Sequence, residues 1–184
     1  MSSPAPLVSA GRAAGHTAGV TADATERAFS DLTQGLDTPM FIATVCTGRE
    51  RAGCLLGFAT QVSIHPPRFL VCISVKNHTH GVAARASSIA LHIVPESARG
   101  LAELFGGETG DEIDKFKRCA WHPAADGTPL LDACPDRFAG RVVDRLDLGD
   151  HTGFLLEPWH AEYAGDTSQL SMQRALAIEP GHAP

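Results

Sequence analysis

Four short stretches of this 184-residue chain carry residue types that can do chemistry. Lys76-Asn77-His78-Thr79-His80 follows an apolar run and opens a short helical pattern. The N–H groups and positive dipole end of a helix start suit a phosphate. Thr79 adds a hydroxyl, Asn77 an amide, and Lys76 or His80 positive charge. The plainer reading is that Asn77 or Thr79 caps the helix. Gly149-Asp150-His151 has hairpin chemistry, and a histidine there either faces a pocket and titrates near neutrality or is a solvated turn residue. Lys115-Phe116 sets a cation and an aromatic ring side by side, against a phosphate and a ring or simply on an amphipathic helix with Ile113 and Phe116 buried. Between Gly53 and Pro67 two glycines, Gly53 and Gly57, interrupt a β-rich run. Such glycines mark a bulge or a place where the backbone approaches a flat ligand.

Other chemistries find little support. His78 and His80 form an H-x-H pair among nine histidines, yet no histidine or cysteine cluster has zinc spacing, so no metal is expected. The five cysteines include no C-x-x-C pair, and an odd count argues against a disulfide framework. There is no G-x-S-x-G elbow and no G-x-G-x-x-G fingerprint. A net charge of -6 and a pI of about 5.8 disfavour nucleic acid and anionic membranes. No run approaches a membrane span, and the N-terminus lacks a signal-peptide core. The expected location is cytoplasmic.

The elements that must position these groups are mostly strands. Residues 1–22, rich in Ala, Gly, Ser and Pro, are expected to be a flexible tail. A helix starts near Asp23 or Thr25, places Ala28, Phe29 and Leu32 on one face, and ends at Gly35. Phe41–Thr47 is almost wholly apolar and predicts a strand buried on both faces. Residues 48–51 form a turn. Residues 53–59 and 61–64 form one strand bulged near Gly57, which Pro66-Pro67 stops. Residues 69–75 are the next strand, residues 82–88 a short helix, 89–94 a strand and 96–105 a helix. Gly106-Gly107 precedes a second short helix over 111–118. Residues 121–135 read as irregular, with a turn at Asp126-Gly127. Strands over 138–148 and 153–159 meet at Gly149-Asp150, and residues 169–177 suit either a strand or a short helix. About six strands in local hairpins, with few helices, predict a mainly β antiparallel barrel rather than a Rossmann sheet. The domain is expected over residues 23–164, followed by a C-terminal segment over 165–184.

In order, Gly53 through Pro67, the strand to Lys76, Asn77 to His80, Asp114-Lys115-Phe116, Trp121, Gly127-Thr128-Pro129-Leu130-Leu131 and Gly149-Asp150-His151 resemble the flavin reductase family, the small reductase components of two-component flavin monooxygenases. The family pattern reads approximately G-x-T-V-S-S-F-x-S-V-S-x-x-P-P, then an apolar strand, S-x-T-H, D-K-F, G-x-P-L-L and G-D-H. The resemblance implies an FMN-binding split β-barrel and a homodimer. It also implies FMN or FAD as cofactor, NAD(P)H as co-substrate and a partner monooxygenase.

By position it places Leu55, Leu56, Gly57, Phe58, Thr60, Gln61 and Ser63 along the flavin ring. Ser74, Val75, Lys76, Asn77, Thr79 and His80 fall at the ribityl-phosphate, Lys115 and Phe116 over the site, and His151 on the nicotinamide side. Leu55, Gly57 and Phe58 stand where the pattern has hydroxyls, and Gln61 replaces a serine, so backbone groups and apolar walls are expected to hold the ring. The same departures leave room for a non-catalytic flavin carrier, and the histidines for haem or a deazaflavin as ligand.

Overall fold

The computed structural model describes residues 22–165 and 168–181. The chain divides into two units after Leu36. In the first, Ala22–Gln34 forms helix α1, none of whose residues is buried. It stops as expected at Gly35, whose N–H donates to the Leu32 carbonyl at 3.2 Å. Apart from Ala22, the expected tail lies outside the described residues.

The second unit is built on a seven-stranded antiparallel sheet. Its strands are β1 (Phe41–Thr47), β2 (Glu50–Leu56), β3 (Ala59–Ser63), β4 (Arg68–Ser74), β5 (Ser88–Ile93), and later β8 (Arg137–Asp147) and β9 (His151–Glu162). A two-stranded hairpin, β6 (Trp121–Pro123) and β7 (Pro129–Leu131), lies between them in sequence. The helices are α2 (His78–Ala83), α3 (Arg99–Gly107) and α4 (Met172–Ala175), with single 3-10 turns at Glu96–Ala98 and Lys115–Lys117.

Sheet order is β2-β1-β5-β8-β9-β4-β3, so β2 and β3 are the two edges. They are also consecutive in the chain, with only Gly57 and Phe58 between Leu56 and Ala59. Three peptide links reach at most about 11 Å, whereas a flat seven-stranded sheet is about 29 Å wide. The sheet therefore curls enough to bring the end of β2 to the start of β3 at Gly57-Phe58. The Cys72 N–H donates to the Phe58 carbonyl at 2.9 Å and ties this link to β4.

The apolar periodicities sort into two cores. Phe41, Ala43 and Val45 of β1 join Val71, Ile73, Leu91, Phe154 and Leu156 inside the curl. Ile42, on the other face of β1, joins Phe105, Phe116, Leu131 and Leu170 beneath α3 and the C-terminal segment. The strand is thus buried on both faces, as its almost wholly apolar run predicts. His92 is fully buried and staples three strands. Its Nδ1 lies 3.0 Å from the Ile42 carbonyl, which only accepts, and its Nε2 accepts from the Leu131 N–H at 3.0 Å.

The C-terminal segment runs back across the sheet end through bridges Pro39 to Ser171 and Pro95 to Gln169. It then makes one helical turn, so both readings of residues 169–177 hold in part.

Four expectations need correction. Residues 53–64 are not one bulged strand but two strands at opposite edges, because β2 pairs with β1 and β3 with β4. The helix expected over 82–88 opens at His78, since Asn77 Oδ1 accepts the Thr79 N–H at 2.9 Å and caps it there. The helix expected over 111–118 shrinks to one turn that Asp114 starts by accepting the Phe116 N–H at 3.1 Å. The irregular stretch 121–135 contains β6 and β7. Its turn has Gly127 at φ +85, and the Asp126 carboxylate accepts the Thr128 N–H at 3.0 Å.

Candidate functional site

Where the sheet edges meet, a cavity of about 230 Å3 opens. The end of β2 supplies Cys54, Leu55 and Leu56, the link supplies Gly57 and Phe58, and β4 supplies Cys72, Ile73 and Ser74. Asn77, His151 and Met172 complete the wall. Each side chain is placed by local chemistry. The β8–β9 hairpin turns at Gly149, at φ +94, where Asp147 Oδ1 accepts the Gly149 N–H at 3.0 Å. The Val75 N–H donates to the Asp150 carbonyl at 3.0 Å, which fixes the hairpin tip beside the end of β4 and sets His151 at the cavity. The His151 and Phe58 rings then lie 5.3 Å apart at 56°.

The wall is mainly apolar and neutral. Burial pushes the Cys54 thiol up to about 11 despite a hydrogen bond with the Thr79 side chain, so it is protonated at neutral pH. Burial also raises Cys72. Outside the wall, the exposed Asp150 carboxylate lies 2.8 Å from His151 Nδ1. The His151 hydrogen bond holds its carboxyl below the usual range. A carboxylate facing Nδ1 makes that nitrogen the donor and leaves Nε2 as the ring's other proton-transfer position.

The structure brings seven of the sequence-derived site residues to this cavity: Leu55, Leu56, Gly57, Phe58, Ser74, Asn77 and His151. It places the others elsewhere. Val75 and Lys76 are exposed just beyond β4, while Thr79, in the first turn of α2, is buried against Cys54. His80 Nε2 is hydrogen-bonded to Thr152 Oγ1 at 2.9 Å. Thr60 is exposed on β3, Ser63 ends that strand, and Gln61 lies over a separate apolar cavity with Phe41, Phe69 and Phe138.

Lys115 and Phe116 belong to a different environment. Lys115 is buried, and its Nζ donates to the Gly53 carbonyl at 3.3 Å and the Phe105 carbonyl at 3.0 Å. Burial lowers its pKa. Phe116 packs edge-on against Phe105 and Trp121, and Arg51 stacks over the Trp121 ring at 4.9 Å. With Arg51, Gly53 and Asp114, these two residues line a second cavity of about 250 Å3.

Sequence reasoning missed Cys54, Cys72, Ile73 and Met172. Strand alternation could have flagged Cys72 as a wall position two residues before Ser74. Nothing local marks Met172. Among the described residues no three His, Cys, Asp or Glu side chains group as a metal site, and no helix is long and apolar enough to cross a membrane.

Comparison with known proteins places the chain in a family. The NADH-dependent FMN reductase RutF of Bradyrhizobium diazoefficiens is 26% identical over 129 residues, covering 70% of this chain and 71% of that protein. The reductase component of the FADH2-dependent resorcinol hydroxylase of Rhizobium sp. MTP-10005 is 25% identical over 136 residues, 73% of this chain and 75% of that one. In fold, the NADH:FAD oxidoreductase of Streptomyces globisporus C-1027 superimposes with a TM-score of 0.73 at 21% identity, over 91% of this chain and 92% of that one. The flavin reductase domain protein of Arthrobacter sp. FB24 gives 0.73 at 18% identity, over 81% and 91%. The model of the flavin reductase like domain matches residues 33–176, most of the chain, and this protein therefore belongs to that family.

Proposed function

We propose that this protein is an NAD(P)H-dependent flavin reductase that binds FMN or FAD in the Gly57–His151 cavity and supplies reduced flavin to a partner monooxygenase. The observation that carries the reading is the meeting of two sheet edges beside a mainly apolar cavity. β2 is laddered only to β1 and β3 only to β4 among the described residues, so each edge keeps outward backbone groups for a ligand. Such groups suit the polar margin of a flat ring, and Leu55, Leu56 and Phe58 suit its faces. The reading keeps the expectation that backbone and apolar walls replace the hydroxyls of the family pattern.

When bound, a flavin supplies the redox chemistry, taking hydride from a nicotinamide and passing electrons on. The chain's own groups bind and orient. Phe58 and His151 flank the cavity mouth, and Asp150 fixes the His151 ring by accepting from Nδ1. Ser74 and Asn77 lie on the side proposed for the ribityl-phosphate. Lys115 and Phe116 act indirectly, by setting the path of β2 at Gly53.

In this reading the sheet is a split barrel whose two edges are joined at Gly57-Phe58, and the working unit is a homodimer. The cavity is smaller than the roughly 300–1,000 Å3 usual for a whole ligand, so a second copy is proposed to complete it. Val62, Ile64, Val75 and Leu148 are exposed apolar side chains suited to that contact. The five free thiols fit a reducing cytoplasm.

The test is oxidation of NADH and NADPH by the purified protein with FMN or FAD added, together with its mass in solution. Flavin-dependent oxidation by a dimer is expected. Flavin binding without turnover would turn the reading to a carrier, and a haem or deazaflavin spectrum would replace the ligand.

A further inference from the structure

At Gly57 the space for a side chain is taken by the flexible tip of another residue. A Cβ built there would overlap the Met172 methyl and lie 3.5 Å from the Met172 sulfur and 3.6 Å from that of Met40. Met172 comes from the C-terminal segment, 115 residues later, and itself lines the cavity. Its backbone is firmly placed. The Met172 N–H donates to the Thr38 carbonyl at 2.7 Å, and the Gln173 N–H to Asp37 Oδ1 at 3.1 Å. The Leu170 N–H donates to the Val94 carbonyl at 2.8 Å, and the Leu170 carbonyl accepts the Met40 N–H at 2.8 Å. Leu170 and Ala175 are buried in the second core. What remains adjustable is the thioether, an unbranched and polarisable group that packs well on aromatic rings.

We propose that Met172 is an affinity-determining wall of the flavin site, in which a thioether brought by the C-terminal segment fills the space that a side chain at residue 57 would take. The proposal rests on the reading of this cavity as the flavin site. Position 57 is where the family pattern carries serine, so glycine here and methionine at 172 act as a matched pair. The wall faces the ring rather than the phosphate. Met172 therefore governs affinity for riboflavin and FMN to the same degree, and docking of the C-terminal segment is coupled to flavin retention.

The test is a titration of riboflavin and of FMN, followed by flavin fluorescence, on the full chain and on Met172→Ala, Met172→Leu, Gly57→Ser and the Gly57→Ser/Met172→Ala double variant. Met172→Ala is expected to weaken both ligands about tenfold, the equivalent of one lost apolar contact surface. Met172→Leu, which keeps the volume, stays within about threefold. Gly57→Ser alone also weakens both, because its side chain collides with the thioether. The double variant binds better than either single variant, since each change makes room for the other.

Wild-type binding with an unchanged Met172→Ala overturns the proposal, as do losses that simply multiply in the double variant. Should Met172→Ala fail to fold, the Gly57→Ser and Met172→Leu titrations decide by the same criteria. If the wild-type chain binds neither ligand, the flavin reading itself fails and this proposal with it.

Discussion

Gly53 and Gly57 stand four residues apart at the edge of one sheet, and each is a glycine because something occupies the place of its side chain. At Gly53 a Cβ would lie 2.6 Å from the Phe105 ring and 3.0 Å from the Ala43 carbonyl. Both are rigid parts of a packed core, and the Gly53 carbonyl is itself held by Lys115. At Gly57 the occupant is the tip of Met172, a flexible side chain over a cavity. The same residue type thus reports two different things. Gly53 marks close packing that fixes the course of β2, and Gly57 marks an adjustable wall. The difference separates stability from ligand binding along β2 and the link that follows it, and substitutions on the two sides should divide accordingly.

The sharpest division is expected at Lys115. Replacing it with alanine leaves the Gly53 and Phe105 carbonyls buried without their donor and opens space beneath α3, a loss of about 3 kcal/mol. Urea unfolding should show it, while riboflavin affinity of the folded fraction stays near wild type. A large affinity loss without destabilisation would move Lys115 into the ligand site instead.

His92 gives the core side a pH signature. Burial chiefly, with Arg137 and His122 adding to it, lowers its pKa to about 4 from an ordinary 6.5, against the opposing bond to Ile42. A second proton would also have to sit on Nε2, facing the Leu131 N–H. The folded chain resists protonation and the unfolded chain does not. The neutral ring's contribution is therefore complete above pH 6.5 and is lost as pH falls toward 4. Between pH 6.5 and 5 the unfolded chain gains this proton and the folded chain does not, a loss of about 2 kcal/mol. Unfolding free energies at those two pH values should show that drop in wild type and a smaller one in His92→Gln.

Gly53→Ala and Gly57→Ala test the comparison directly. The first forces rigid neighbours apart and should cost about 2 kcal/mol, and the second, which moves only the Met172 tip, less than about 1 kcal/mol. Equal costs in thermal or urea unfolding would erase the distinction. The smallest effect is expected at Asp150→Asn. It removes the charge that fixes His151 Nδ1 and should lower NAD(P)H turnover several-fold with flavin affinity unchanged.

The fold was readable in sequence where the signal is local. The almost wholly apolar run Phe41–Thr47 shows a strand buried twice, Asn77 shows a cap, and Gly149-Asp150 shows a hairpin. It was unreadable where pairing is distant. Gly57-Phe58 looks like a bulge because nothing in residues 53–64 says that β2 and β3 go to opposite edges. The Asp126-Gly127 turn was visible, but strands of three residues are too short for periodicity to show.

The site divides in the same way. Residues 55–58 and His151, which the ordered motifs grouped, line one cavity together. Lys115 reads as a cation for a phosphate until the carbonyls of Gly53 and Phe105, from separate elements, are seen around it. Met172 has no local signature at all, since its meaning comes from Gly57.

The most direct test of the central claim is flavin-dependent oxidation of NADH and NADPH by the wild-type protein and by Ser74→Trp, which fills the cavity without touching the Lys115 region. Rapid oxidation by wild type and its loss in Ser74→Trp, with unfolding stability retained, is the result predicted here. Equal activity in both proteins would show that the flavin lies elsewhere and contradict the account.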